Sequence, residues 1–185
     1  MTGNDAFLAI LKVLNDLEIP YMVVGSYSSN FYGIPRSTKD ADLVIHFKSG
    51  YLEKISATLP PEIILDQQGT FEMVTATRKE LLRIKGSIFE IELFHLSDDS
   101  FDRMRFERRQ KVVFHEDLCA WMPTAEDVII QKLRWSKIGR RTKDFDDVVA
   151  ILSVQKEIDF AYITDWCQEH GTLEILAKAR AEASA

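Results

Sequence analysis

The feature that most constrains this chain is a change of hydrophobic period at Pro123. Before it, apolar residues come in short runs or strict alternation, as in Tyr21–Val24 and Ile88–Phe94, which is the pattern of buried and half-buried strands. After it, Val128, Ile129, Leu133 and Ile138 recur at helical spacing. Such a switch predicts an α+β chain: a mixed sheet flanked by helices over residues 1–122, followed by a C-terminal helical bundle over 123–185. No Gly/Ser-rich linker divides the two parts, and no internal repeat is present.

Phe7, Leu8, Ile10, Leu11, Val13, Leu14 and Leu17 predict an amphipathic first helix, stopped near Pro20 by the missing N–H of proline. A strand over Tyr21–Val24 then runs into Gly25-Ser26, and a short helix over Ser28–Tyr32 ends at Gly33-Ile34-Pro35. A strand over 41–47 and a helix over Tyr51–Thr58 follow. Ile63–Leu65, Phe71–Thr75 and Leu81–Ile84 read as three further strands, and Lys111–Phe114 with Leu118–Met122 as a hairpin. Thr124 is placed to cap the next helix, and helices are expected over Asp144–Ser153, Tyr162–Gln168 and Leu173–Ala183.

Charge narrows the function classes. The chain carries a net charge of −6 in 185 residues, which argues against a long duplex as ligand. Two basic groups stand out, Arg103/Arg105/Arg108/Arg109/Lys111 and Lys132/Arg134/Lys137/Arg140/Arg141/Lys143; they suit a polyphosphate, or are solvated helix faces. Cys119 and Cys167 lie outside any zinc-binding spacing and read as free thiols. Nothing resembles a signal peptide or an apolar span, so a cytoplasmic protein without a membrane partner is expected. The tryptophans Trp121, Trp135 and Trp166 read as packing residues, with Trp135 or Phe31 a candidate for stacking on a base.

The chemistry concentrates between Val24 and Ile45. Gly25 between a strand and a helix permits a sharp turn and close approach of a phosphate to helix N–H groups, with Ser26 and Ser28 adding hydroxyl donors. Asp40 and Asp42, spaced two apart on a strand, present both carboxylates on one face and should recruit a cation. Glu92, inside an apolar strand, must be paired or coordinate a metal, although Glu90 shares its face and strand parity alone does not choose between them. Three carboxylates would suit a two-metal site, with Glu92 or Asp42 as proton acceptor. Arg36 has the planar fork that clamps phosphates; the alternative is a solvated loop arginine.

Gly25-Ser26, thirteen residues, Asp40-x-Asp42 and the strand acid Glu92 together resemble the DNA polymerase beta-like nucleotidyltransferase superfamily. The lead-in Arg36-Ser37-Thr38-Lys39-Asp40 is similar too, with Thr38 two residues before the first Asp. The stretches from Pro123 to Leu133 and from Arg140 to Val148 resemble bacterial AbiEii-like and minimal nucleotidyltransferases. The resemblance implies a nucleotidyltransferase-type sheet and a helical region closing over the nucleotide. It implies Mg²⁺ (or Mn²⁺) held by Asp40, Asp42 and Glu92. It also implies nucleotide binding through Gly25, Ser26, Ser28, Arg36 and Thr38, with Lys132 reaching the triphosphate and Lys143, Asp144 and Asp147 bracing the nucleotide side. Glu92 stands where Asp is common in the family.

The implied reaction moves NMP from a nucleoside triphosphate to an RNA or protein hydroxyl, with transfer RNA or a protein as acceptor, in a toxin that pairs with an antitoxin partner. Two other readings stay open: a catalytically silent nucleotide-binding or antitoxin-like module, and an antibiotic-modifying nucleotidyltransferase. For Lys132 the residues also allow an exposed helix lysine paired with Asp127 or nearby acids, and for Asp144 a helix cap.

Overall fold

The computed structural model describes residues 1–72, 77–139 and 142–184. These form two compact units. The first comprises Met1–Ser26 and Thr38–Met122; the second comprises Tyr27–Ser37 and Pro123–Ala185.

The first unit opens with α1 (Gly3–Asp16). Thr2 caps it: the Thr2 hydroxyl accepts from the Asp5 N–H at 3.1 Å and the Asp5 carboxylate accepts from the Thr2 N–H at 2.9 Å. The α1 face bearing Phe7, Ile10, Leu11 and Leu14 is fully buried. Strand β1 (Tyr21–Val24) leads to α2 (Gly25–Tyr32), whose first two residues lie in this unit. Then come β2 (Asp40–Ile45), α3 (Tyr51–Thr58), β3 (Ile63–Glu72), β4 (Thr77–Ile84), β5 (Glu90–His95), α4 (Ser100–Glu107), β6 (Gln110–His115) and β7 (Leu118–Met122).

Among the described residues the main sheet has the order β1-β2-β5-β4-β3, with β6 and β7 forming a separate hairpin. Strands β2 and β5 pair in parallel; the other neighbours are antiparallel. Ala41, Leu43, Ile91, Leu93 and Leu82, which share one face of the sheet by alternation, are fully buried. The stretches expected as separate strands over Ile63–Leu65 and Phe71–Thr75 join in one strand, β3, because the ladder with β4 resumes after a register shift between Asp66 and Thr70. The end of the second stretch, through Thr75, lies outside the described residues.

Helix α4 carries Arg103 and Arg105 of the first basic group. Its sequence is largely charged, so it read as a solvated basic run, yet Phe101, Asp102, Arg105 and Phe106 are buried and Asp99 caps it. Arg105 pairs with Asp102 at 2.9 Å, and both side chains are under a tenth exposed. Arg109 lies 4.0 Å from the ring centroid of Phe106 and 5.0 Å from that of Trp121. These two arginines of the first basic group are therefore packed within the unit and not held out for a polyphosphate.

The second unit is helical: α5 (Ala125–Gly139), α6 (Thr142–Val154), α7 (Phe160–His170) and α8 (Leu173–Ala183). Thr124 caps α5, its hydroxyl accepting from the Asp127 N–H at 3.3 Å. The core is Ile129, Ile130, Leu133, Val148, Ile151, Ile163, Cys167 and Ala179. Burial pushes the Cys167 thiol up, against a smaller opposing effect from Thr172, so it stays a packing residue. Arg140 and Arg141 of the second basic group lie outside the described residues. Trp121, Trp135 and Trp166 are half-buried.

The segment Tyr27–Ser37, expected within the α/β part, belongs to this helical unit. The Tyr32 hydroxyl donates to the Pro123 carbonyl at 2.7 Å and Gln155 donates to the Tyr32 carbonyl at 2.6 Å. A Cβ on Gly33 would come within 3.1 Å of the Ile151 backbone N, so a side chain there would crowd α6. Burial, with the charges of Glu126 and Asp127, pushes the Tyr32 hydroxyl up to about 12. No helix of the described residues is long and apolar enough to cross a membrane.

Candidate active site

The acidic face is built by sheet register. Strands alternate their side chains, so Asp40 and Asp42 share one face of β2. The parallel pairing sets Asp40 opposite Glu90 and Asp42 opposite Glu92. One step further along the same face, Val44 stands opposite Phe94 and Met22. Met22, Val24, Val44 and Phe106 form a buried cluster with Phe94 and Leu96 packed on it. Phe106 of α4 thus covers the apolar end of this face, and the carboxylates occupy the other end. Both Asp40 and Asp42 remain half-buried.

Gly25 completes this end. The register pairs Val24 with Asp42, which brings the residue after Val24 against the Asp42 side chain. A Cβ built on Gly25 would overlap Asp42 Oδ2 and come within 2.8 Å of its Cγ. Gly25 also has φ +62°, in the left-handed region that disfavours a side chain. Glycine is required here twice, by backbone and by space. Helix α2 begins at this residue, so its first N–H groups and positive dipole end start beside the Asp42 carboxylate. Ser26 and Ser28 are buried at 7% and 2% exposure.

Asp40 is oriented by Thr38, whose hydroxyl donates to Asp40 Oδ1 at 2.7 Å. Glu92 is engaged differently from expectation. Lys79 Nζ lies 2.6 Å from Glu92 Oε1, while Arg83 Nη1 lies 3.7 Å from Glu90 Oε1. Lys79, Leu81 and Arg83 share one face of β4, and register sets Leu81 opposite Glu92 and Arg83 opposite Glu90. Both acids of β5 therefore have a cationic neighbour. Among the described residues no group of three or more His, Cys, Asp or Glu is arranged to hold a metal. Of the three carboxylates expected to share a cation, Asp42 stands opposite Glu92 in the register, and Glu92 is paired with Lys79. Asp40 and Asp42 do fit a hard cation: both offer oxygen donors on one face, and Gly25 puts no side chain against Asp42. Lys79 was missed by sequence reasoning; the signal was the Lys79-x-Leu81-x-Arg83 alternation, which complements Glu90-x-Glu92.

The remaining sequence-predicted residues lie in the helical unit, where Arg36, Lys132, Asp144 and Asp147 are engaged with one another. Arg36 Nε and Nη2 donate to Asp147 Oδ1 and Oδ2 at 2.7 and 3.0 Å. Lys132 Nζ lies 2.9 Å from Asp144 Oδ1 and 2.8 Å from Asp147 Oδ2, and all three side chains are at most a tenth exposed. Lys132 is therefore neither an exposed lysine paired with Asp127 nor an ammonium held out to a triphosphate; it bridges two buried carboxylates, with Arg36 supplying the second positive charge at Asp147. Asp127 is occupied by Thr124 and Tyr162 instead. Asp144 is a buried partner of Lys132, and Lys143 is exposed. Burial alone would raise the Asp147 carboxyl, but hydrogen bonds and charge from Arg36 and Lys132 outweigh it and hold the group below the usual carboxylate range.

No protein-family model and no curated protein matches the chain. Solved structures do. JHP933 from Helicobacter pylori is similar with a TM-score of 0.59 and 15% identity, over 98% of this chain and 88% of that one. An antigenic nucleotidyltransferase-like protein from Paracoccidioides brasiliensis matches with a TM-score of 0.56 and 15% identity, over 96% and 92% of the two chains. ANT(2'')-Ia in complex with adenylyl-2''-tobramycin matches with a TM-score of 0.53 and 11% identity, over 98% of each chain. The mixed sheet with its flanking helices and the helical region after it make up a nucleotidyltransferase-type fold.

Proposed function

We propose that the chain is a divalent-metal-dependent nucleotidyltransferase that moves NMP from a nucleoside triphosphate to an RNA or protein hydroxyl. Its resemblance to AbiEii-like and minimal nucleotidyltransferases makes a toxin paired with an antitoxin the biological role we favour. The observation that carries the reading is the seat of Asp42 against Gly25, on the strand face that also bears Asp40. That arrangement sets the Asp42 carboxylate against the start of α2, where Gly25 carries no side chain, and Asp40 shares its strand face.

In this scheme Asp40 and Asp42 hold Mg²⁺ or Mn²⁺. Bound there, the cation would offset charge on the triphosphate and favour departure of pyrophosphate. The N–H groups at the start of α2 and the Ser26 hydroxyl bind phosphate oxygens. Thr38 fixes the orientation of the Asp40 carboxylate through its hydrogen bond. A bond forms between the acceptor oxygen and the α-phosphorus as the bond to pyrophosphate breaks, and the acceptor proton passes to the Glu92 carboxylate.

The Lys79–Glu92 ion pair favours a second reading, a module that binds nucleotide without turnover, because a carboxylate held by an ammonium is a weaker base. One experiment separates the two. Purified protein is incubated with labelled triphosphates, Mg²⁺ and total cell RNA or protein, with aminoglycosides as a further arm suggested by the tobramycin-bound likeness. The enzyme reading requires labelled acceptor with wild type and none with Asp40→Asn/Asp42→Asn. Equal labelling by the two proteins removes the catalytic assignment. Nucleotide binding without labelling in any arm supports the silent module.

A further inference from the structure

Lys79 enters the acidic face of the α/β unit from its apolar end. Register sets Lys79 of β4 opposite Phe94 of β5, one step along the face from the row that holds Leu81, Glu92 and Asp42. Its Nζ lies over the Phe94 ring, 5.7 Å from the centroid, and reaches diagonally to Glu92 Oε1 at 2.6 Å. The two side chains are 22% and 21% exposed, so the pair is shielded from water more than an ordinary surface ion pair. Leu81, directly opposite Glu92 on β4, brings no polar group of its own. Arg83, on the far side of Leu81, pairs with Asp66 at 3.1 Å and lies 3.7 Å from Glu90.

These contacts bear on how many cations the face can take. Lys79 and Arg83 set a positive charge beside each acid of β5. The two carboxylates of β2, Asp40 and Asp42, match the charge of one divalent cation. A second divalent cation shared by Asp42 and Glu92 would stand next to the Lys79 ammonium, and like charges that close repel strongly in a partly buried site.

We infer that the site takes a single divalent cation, at Asp40 and Asp42, and that the Lys79 ammonium supplies at Glu92 the positive charge a second ion would bring. The inference rests on the reading of Asp40 and Asp42 as cation-holding residues. Its consequence is a site in which the acceptor proton goes to Glu92 with an ammonium, and not a second metal ion, beside it.

The test counts Mn²⁺ bound to the full chain saturated with a non-hydrolysable ATP analogue, by equilibrium dialysis and electron paramagnetic resonance. Wild type should hold one ion. Lys79→Arg, which keeps the positive charge, should also hold one. Lys79→Met should hold two, with the spectral coupling of ions roughly 3.5–4 Å apart. Adding Glu92→Gln to Lys79→Met should return the count to one. Lys79→Gln is equally uncharged and answers the same question should Lys79→Met fail to fold. Two ions in wild type or in Lys79→Arg overturn the inference and leave Asp40 and Asp42 standing as a cation site. One ion in the uncharged variants overturns it too, as does a second ion that survives Glu92→Gln. Absence of bound Mn²⁺ in wild type overturns the reading of Asp40 and Asp42 itself, and the inference with it.

Discussion

Gly25 and Asp42 compete for one space: the position a Cβ on Gly25 would take is filled by the Asp42 carboxyl group. The pairing of Val24 with Asp42 across β1 and β2 creates this relationship, and the left-handed backbone at Gly25 preserves it.

Gly25→Ala should therefore cost more than an ordinary glycine substitution. The strained backbone contributes about 1 kcal/mol, and displacement of Asp42 adds to it. We expect a lower urea midpoint together with loss of Mg²⁺-dependent ATP binding in calorimetry. A variant that binds ATP and Mg²⁺ like wild type would show that the Gly25–Asp42 seat is structural only.

Removing either carboxylate charge on β2 should abolish transfer while leaving the fold intact. Both side chains are half-buried at one end of the sheet and not part of its apolar core. Asp40→Asn and Asp42→Asn are expected to lower kcat by about a hundredfold or more, the scale of losing a preorganised charge. Circular dichroism melting should change little. Thr38→Val, which removes only the donor to Asp40, should fall between these variants and wild type.

Lys79 holds Glu92 at 2.6 Å, so removing the ammonium releases a carboxylate across from Asp42. Lys79→Met should tighten Mn²⁺ binding severalfold, by about 1 kcal/mol, the size of one partly exposed charge interaction. Calorimetry with Mn²⁺ alone reads this directly. Unchanged affinity would exclude Glu92 as a contributor to the cation site.

The Asp147 carboxyl lies below its ordinary 3.8 because Arg36 and Lys132 outweigh the effect of burial. A group depressed on folding stabilises the protein fully above its unfolded value and loses that contribution as pH falls through the lower, folded value. Asp147→Asn should thus be less stable than wild type near about pH 7, and the difference should shrink once the pH drops well below about 4. Urea titrations at the two pH values test this.

Lys132 bridges Asp144 and Asp147 in a site where all three side chains are at most a tenth exposed. Breaking such a group by removing one partner costs about 3–5 kcal/mol, so Lys132→Met should unfold at a much lower urea concentration. Lys143→Met, on the exposed start of α6, should leave the midpoint unchanged. Equal stability of the two variants would contradict the buried role of Lys132.

The sequence by itself determined the local elements and the parity of the acids. Two carboxylates spaced two apart on a strand must share a face, a glycine after a buried strand must turn, and helical spacing after Pro123 must give helices. These are consequences of chain geometry within a few residues. The buried face of α4 escaped this logic because its few positions are interleaved with charges, and an arginine buried against an aspartate looks on paper like a solvated one. Tertiary structure decided which charges meet. Register across β2, β5 and β4 set Glu92 opposite Asp42 and within reach of Lys79, and the packing of α5 on α6 turned Lys132 inward to Asp144 and Asp147. It also placed Tyr27–Ser37 with the helices, although both of its ends continue into the α/β unit. An ion pair between residues far apart in the chain depends on distances that only the packed fold creates, and no local periodicity encodes them.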